Sequence, residues 1–500
     1  MIILGDHLTL NELKQVWKGE SVSISDEAVK RMEATRKVVE SIIEKGEPVY
    51  GVNTGVGRLA EISIDRNELE QLQVNIVRSH AVGVGEPLSR EIVRAAMALR
   101  AHTLAQGLSG VRPIVAQKLT ELLNADVLPV VPSRGSVGAS GDLAPLAHIA
   151  LTLIGEGEAI YRGQRLPSFF ALKLAGIEPL RLQAKEGLAL INGTQASTAV
   201  LAVALARSES LLIAADAVAA MTFEALEGVA EQFITEIAVV RPHNGARTVI
   251  QRFQKLIEGS QLTGGPKKRV QDAYSLRCIP QVHGAVNDTV DYVRDILEIE
   301  MNSVTDNPLV FPDGRVVSNG NFHGQPVAFV ADLLATSMAS LGSISERRTF
   351  RLLDPELSGL PAFLTEHSGL NSGMMMLQVT QAALVSENKS LAHPASVDSI
   401  PTSADQEDFV SMSMTAALKA LQVVENVEKV IAIELIAALQ ALQLRGVEKT
   451  SPKIKKLHEL ARKSIPKLEA DRIMQNDLAN AIEFVRKIPE IFDEFLKDRE

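Results

Sequence analysis

The chain has 500 residues, 46% of them hydrophobic and only 4% aromatic, and its 51 basic and 61 acidic residues leave a net charge of −10. That is enough apolar material for a sizeable core, and with no basic stripe nucleic acid is not an expected partner. The single cysteine, Cys278, cannot form an intramolecular disulfide, which fits a reducing, cytoplasmic setting. The opening Met1-Ile2-Ile3-Leu4-Gly5-Asp6 is too short and too soon acidic for a signal peptide. Arg207, Glu209 and Asp216 interrupt the longest apolar runs, so no membrane span is expected.

Taken in order, Ser25 to Lys45 is predicted to be a helix capped by Ser25. The glycine-rich Pro48–Gly57 segment lacks the lysine of a phosphate loop and the spacing of a dinucleotide fingerprint. It reads either as a surface loop or as a lid that delivers the phenol of Tyr50. Ser79-His80 precedes a second small-residue loop, then helices are predicted from Ser89 to about Gln106 and from Pro113 to Asn124, with an extended strip from Leu128 to Pro132. Residues 156 to 186 form a small excursion with a short hairpin around Ala159–Gln164. From Asn192 onward, long alanine-rich stretches run towards Glu227, then from Gln325 to Leu353, Leu370 to Asn388 and Phe409 to about Leu444. Apolar residues lie on nearly all their faces, which implies burial among other helices. The expected fold is mainly α: an elongated bundle of long antiparallel helices beside a smaller mixed N-terminal region. The expected divisions are 1–186, 187–445 and a C-terminal helical segment, 446–500.

The segment that organises the rest is Gly135-Ser136-Val137-Gly138-Ala139-Ser140-Gly141-Asp142-Leu143-Ala144-Pro145-Leu146-Ala147. Its small residues predict a tight loop opening a helix towards Ile154, with Asp142 as cap and Pro145 in the first turn. Taken alone, such a loop turns the chain or binds an anion. In Ala139-Ser140-Gly141 the glycine nitrogen can also reach the alanine carbonyl. Ring closure with loss of two waters would convert Ser140 into a dehydroalanine, an electrophile absent from the ordinary side chains.

Seven motifs occur in order: Tyr50-Gly51-x-Asn53-Thr54-Gly55, Ser79-His80, Ala139-Ser140-Gly141-Asp142-Leu143, Asn192-Gly193-Thr194, Tyr274-Ser275-x-Arg277, Thr305-Asp306-Asn307-Pro308 and Gly320-Asn321-Phe322. Together they resemble the aromatic amino acid ammonia-lyases from about residue 5 to about 445, and the length suits the shorter, histidine-specific branch. The resemblance implies a methylidene-imidazolone (MIO) prosthetic group formed from Ala139, Ser140 and Gly141, with no dissociable cofactor and no metal. It implies Tyr50 as the base that takes the β-proton, its pKa lowered from the usual phenol value, and Tyr274 as a second phenol in proton transfer. It assigns Arg277 to the substrate carboxylate, Asn192 and Gln271 to hydrogen bonds with the substrate or the ring oxygen, and Phe322 to packing beside them. It further implies a homotetramer with active sites shared between subunits: Tyr50, His80, Asn192 and Glu407 from the subunit carrying the loop, Tyr274 and Phe322 from neighbours.

For the substrate, the resemblance points to His80 with Glu407, a pair characteristic of the histidine-specific branch; histidine at the first position also occurs in tyrosine-specific members, so Glu407 carries the distinction. A carboxylate and an imidazole satisfy the ring nitrogens of histidine, whereas a phenyl substrate would leave them buried and unpaired. The implied reaction is therefore deamination of L-histidine to trans-urocanate and ammonia, the first step of histidine degradation. The rivals are the same chemistry on tyrosine or phenylalanine, a 2,3-aminomutase, or a helical scaffold without activity. Two positions depart from the family pattern: Phe409 stands where histidine is common, and Gln325 where glutamate is common.

Overall fold

The computed structural model describes residues 1–263 and 270–497. It is mainly helical and divides into two compact units, each assembled from three stretches of chain. The first comprises Met1–Ala204, Arg294–Asp332 and Pro394–Leu418; the second comprises Leu205–Val293, Leu333–His393 and Lys419–Glu500. This interleaving replaces the contiguous divisions 1–186, 187–445 and 446–500. The reason is that four of the five boundaries fall inside the helices Gln195–Ala225, Ile279–Met301, Gln325–Leu353 and Ser413–Arg445, and only the one after His393 falls between elements.

In the first unit, local sequence sets most element ends. The helix Leu10–Lys18 starts with a reciprocal cap between Thr9 and Glu12 and stops at left-handed Gly19. Asp26–Lys45 is capped by Ser25, as expected, and ends at Gly46. Arg90–Ala105 is buried along nearly its whole length and still carries Arg94, Arg100 and His102. Arg94 donates to the carbonyls of Val16 and Leu123. These belong to the last turns of Leu10–Lys18 and Pro113–Asn124, so the buried cation satisfies helix ends that lack their own partners. The predicted hairpin is Glu158–Tyr161 paired with Gln164–Pro167; Arg162 and Gly163 both have positive φ, as a two-residue hairpin turn requires. Pro132–Arg134 pairs with Val84–Pro87, which fixes the chain immediately before Gly135.

His102 gives this unit a pH limit. Its Nδ1 accepts from Gly5 N–H at 3.1 Å, and burial pushes its pKa down to about 4. An unfolded histidine binds its proton near pH 6.5, so on acidification the unfolded state gains that proton first. The contribution is intact above about pH 6.5 and is lost as pH falls from there towards 4, about 3 kcal/mol in all. His102→Gln, which keeps an acceptor for Gly5, is expected to lose less stability than the parent between about pH 7 and pH 4.5. Urea midpoints at the two pH values check this.

In the second unit, Phe223, Phe233 and Phe253 form an aromatic core, the last two stacked with centroids 4.2 Å apart. Deeper still is a charged network. Arg348 Nε and Nη2 donate to the two oxygens of Glu434 at 2.6 and 2.8 Å, and both residues are fully buried. Thr222 and Ser345 donate to the same carboxylate. Arg348 Nη1 lies 3.2 Å from His283 Nε2, while His283 Nδ1 lies 2.7 Å from Asp216. A guanidinium only donates, so Nε2 accepts and Nδ1 donates to Asp216. His283 is thereby held neutral, and burial lowers its pKa in the same direction.

Ile279–Met301 is a long helix that the apolar pattern did not announce, because His283, Gly284, Asn287 and Asp288 interrupt it. His283 and Asn287 turn inward as buried polar groups. Gly284 meets the backbone of Gly245 and Ala246 so closely that a Cβ would lie 2.4 Å from Ala246 N. Two helices, Gln195–Ala225 and Gln325–Leu353, reach the length and hydropathy of a membrane span by composition alone; the qualifying windows are 78% and 61% buried within the protein, as core helices are.

Candidate active site

The glycine-rich loop of the first unit is clamped from two directions. Gly138, at φ +68°, offers its carbonyl to Ser411 Oγ (2.9 Å) and Gly324 N (3.1 Å), and a Cβ there would lie 2.2 Å from Ser411 Oγ. Met412 N donates to Val137 O, and Ala139 packs against Val410 and Met412. On the other side Gly141, at φ +72°, bridges to Gly193, and a Cβ on it would fall 2.2 Å from Gly193 O. Only glycine fits that approach.

Asp142 heads the helix Leu143–Leu153 but makes no side-chain bond to it, which corrects its expected role as that helix's cap. Its buried carboxylate instead accepts from Ser197 N (2.7 Å) and Ser197 Oγ (2.8 Å), at the start of Gln195–Ala225, and from Ser136 Oγ (2.8 Å). Asp142 therefore caps a different helix and ties the loop to it. Burial raises its pKa, and the three donors oppose that shift.

Asn192 follows the short helix Glu186–Ile191 and points Nδ2 at Ser140 O, 3.1 Å away. The carbonyl of Ser140 is the one that would remain exocyclic if Ala139, Ser140 and Gly141 closed into a ring. Asn192 Oδ1 is buried and has no hydrogen-bond partner among the described residues. Behind Asn192, fully buried Arg100 donates to Asn192 O (2.7 Å) and Gln195 Oε1 (2.8 Å), its pKa lowered by burial to about 10. Thr194 Oγ1 donates to Glu300, whose pKa is raised by burial and by Asp142.

Tyr50 sits half-buried on the Pro48–Gly57 loop, its hydroxyl 3.4 Å from Gly57 N. Beneath it, Gly51 packs on Pro308, and Asp306 of the same motif pairs with buried Lys185 at 2.9 Å. Burial is the largest influence on the Tyr50 phenol and raises its pKa; the Gly57 N–H opposes this, and the negative charges of Glu407 and Asp306 add to the rise. The expected lowering is absent because burial disfavours the phenolate, the Gly57 N–H only partly opposes it, and the nearby charges are anionic.

Glu407 reaches the loop from the far end of the chain. Its Oε1 accepts from Ser140 Oγ at 2.7 Å, and its Oε2 accepts from Thr402 Oγ1 at 2.6 Å. His80, ending the helix Leu69–His80, directs Nδ1 to Ile76 O at 2.7 Å, which makes Nδ1 the protonated nitrogen and leaves Nε2 as an acceptor. Phe322 is half-buried two residues before Gly324, whose N–H donates to Gly138 O of the loop. Gln271, Tyr274 and Arg277 belong to the second unit. Tyr274 is 72% exposed there, with the Arg277 guanidinium 4.9 Å above its ring.

The loop fits an MIO group by this geometry: an unsubstituted glycine nitrogen, a serine carbonyl already holding a donor, and an unpartnered acceptor, Asn192 Oδ1, beside it. Sequence reasoning did not single out Arg100, Lys185, Ser197, Glu300 or Ser411. Arg100 carried a signal, a cation on a helix that is buried along nearly its whole length, though it shares that feature with Arg94 and His102.

The family model of the aromatic amino acid lyases matches residues 8–463. The chain belongs to the aromatic amino acid lyase family. Within that family, a histidine ammonia-lyase of Geobacillus thermodenitrificans is 52% identical over 482 residues, covering 96% of both chains. One from Koribacter versatilis is 50% identical over 501 residues, covering 97% of each. Among solved structures, histidine ammonia-lyase from Trypanosoma cruzi superposes with a TM-score of 0.92 at 44% identity, covering 99% of this chain and 95% of that one. A tyrosine aminomutase from Streptomyces globisporus superposes at 0.93 with 37% identity, covering 99% and 98%. Of the two departures from the family pattern, Phe409 stacks on His323 at 6.0 Å, and Gln325 opens the helix Gln325–Leu353 with its Oε1 buried.

Proposed function

We propose that this lyase deaminates L-histidine to trans-urocanate and ammonia. The observation that carries the substrate assignment is Glu407, whose carboxylate lies 2.7 Å from Ser140 Oγ and is held from behind by Thr402. A carboxylate at that distance from the reacting serine suits a substrate whose side chain brings an N–H to it. His80 Nε2, left as an acceptor, suits the second ring nitrogen if that nitrogen is protonated.

An MIO group formed from Ala139, Ser140 and Gly141 would supply the electrophile that turns the substrate amine into a leaving group. Asn192 Nδ2 holds the Ser140 carbonyl oxygen by oxyanion-hole logic. Its buried Oδ1 is placed to accept from the amine. Arg277 holds the substrate carboxylate in bidentate geometry, with Gln271 and Phe322 lining the site. Tyr50 removes the β-proton and Tyr274 assists. Because the anions around Tyr50 favour its neutral form, the base needs positive charge that the first unit does not itself bring to it.

That requirement, and a Tyr274 ring largely open to solvent, support a homotetramer in which neighbouring chains complete each site. The single cysteine supports a cytoplasmic location. Selectivity is the test. With the site closed over substrate, a phenyl ring would leave the half-buried His80 and Glu407 unpaired, at about 1–3 kcal/mol each. The expected kcat/KM for L-histidine therefore exceeds that for L-tyrosine or L-phenylalanine by roughly 30-fold or more. Equal or inverted values would remove the substrate assignment.

A further inference from the structure

We propose that Glu407 has an earlier task than binding substrate: it protonates the departing hydroxyl of Ser140 while the prosthetic ring is being made. This rests on the reading of Ala139-Ser140-Gly141 as an MIO precursor. The chain as translated carries serine at position 140, and the step in question acts on its hydroxyl before that hydroxyl is lost. That hydroxyl is bonded to Glu407 Oε1 at 2.7 Å, across 267 residues of sequence. The carboxyl group is held for the purpose. Thr402 Oγ1 donates to Oε2, Thr402 and Glu407 exchange backbone hydrogen bonds of 3.0 and 3.3 Å, and Ser403, Ala404 and Asp405 between them all have positive φ. Non-glycine residues in that conformation cost of order 1 kcal/mol or more each, so the turn is kept against a local preference.

The chemistry needs an acid at this place. Ring closure joins Gly141 N to the Ala139 carbonyl carbon. That oxygen leaves as the first water, with the protons of Gly141 N–H and Ser140 N–H. The second water comes from Ser140. Its Cα–H bond breaks, the electron pair forms Cα=Cβ, and the Cβ–Oγ bond breaks. Hydroxide is a poor leaving group, so Oγ must be protonated as it departs. At 2.7 Å the Ser140 hydroxyl donates to Oε1; when Glu407 takes up a proton from water the same contact reverses, Oε1–H donates to Oγ, and Glu407 becomes the carboxylate as water leaves. The Cα proton passes to solvent water, from which Glu407 is recharged, and no oxidant is consumed. Asp142 is otherwise engaged, both its oxygens being occupied by Ser136 and Ser197. Departure of Oγ leaves Glu407 Oε1 without its partner and ready for substrate, so one side chain serves both stages in turn.

The test follows mass rather than turnover. Wild type, Glu407→Gln and Thr402→Val are made by pulsed cell-free synthesis, and intact masses are read over time. Wild type is expected to become lighter by two waters. Glu407→Gln keeps a hydrogen-bonding group but no acidic proton, and is expected to pause one water lighter and lose the second about 10²-fold more slowly or worse. Thr402→Val, which only loosens the carboxyl, should fall between. Glu407→Gln reaching the fully dehydrated mass at the wild-type rate would overturn the proposal. If circular dichroism shows that Glu407→Gln does not fold, Thr402→Val decides, and an unchanged rate there overturns it. A wild type that keeps both waters removes the MIO reading and this role together. A wild type that is dehydrated yet spares histidine removes only the substrate assignment.

Discussion

Ser140→Ala is expected to lower kcat on L-histidine by about 10⁴-fold or more, with the protein still folded. Alanine has no Oγ to lose, so no methylidene can form, and the amine of the substrate remains a poor leaving group. Asn192, Arg277 and the phenols are left to bind substrate without the group that activates it. The structural cost is small: one hydrogen bond, from Ser140 Oγ to Glu407, worth about 1 kcal/mol. Steady-state rates measured beside a melting curve separate the two effects. A variant that melts like wild type and turns over within tenfold of it would exclude Ser140 as the source of the electrophile.

The largest expected effect on stability lies in the buried ion pair of the second unit. Arg348→Met removes the cation that holds Glu434, leaving a fully buried carboxylate with only the hydroxyls of Thr222 and Ser345. It also frees His283 Nε2. Removing one partner of a buried pair costs about 3–5 kcal/mol, because the other charge stays desolvated. Replacing both partners by apolar residues of similar size costs far less. The expected order of thermal midpoints is therefore wild type, then Arg348→Met/Glu434→Leu, then Arg348→Met, lowest of all. A single variant as stable as the double one would mean that the pair does not bear on stability.

How much of this could be read beforehand depends on the range over which each interaction acts. Ser25 as a cap, the hairpin turn at Arg162-Gly163 and the start of Gln325–Leu353 are set by neighbours a few residues apart, and all were legible. Gln195–Ala225 and Ser413–Arg445 were legible as buried because apolar residues surround them, whereas Met375–Leu391, expected to be buried for the same reason, buries only Gln381 and Asn388 within this chain. Ile279–Met301 was not, since the polar residues that break its pattern are satisfied by distant partners such as Asp216 and Arg348. Asp142 shows the same limit. Its sequence position points to the helix it opens, but its partner Ser197 lies 55 residues further on. The composition of the candidate site was legible as a set of motifs. The joining of Ser140 to Glu407 was not, nor the direction of the Tyr50 shift, which is set chiefly by the phenol's burial and then by the anions Glu407 and Asp306.

The measurement that bears most directly on the reaction is product analysis of the purified wild type with L-histidine, in which ammonia and trans-urocanate are quantified together. The neighbourhood of this fold includes an aminomutase, so consumption of histidine alone does not distinguish elimination from amine transfer. Equal amounts of ammonia and urocanate, matching the histidine consumed, are the predicted result. Histidine lost without ammonia, or converted to an amino acid that retains its nitrogen, would contradict a lyase acting on this substrate.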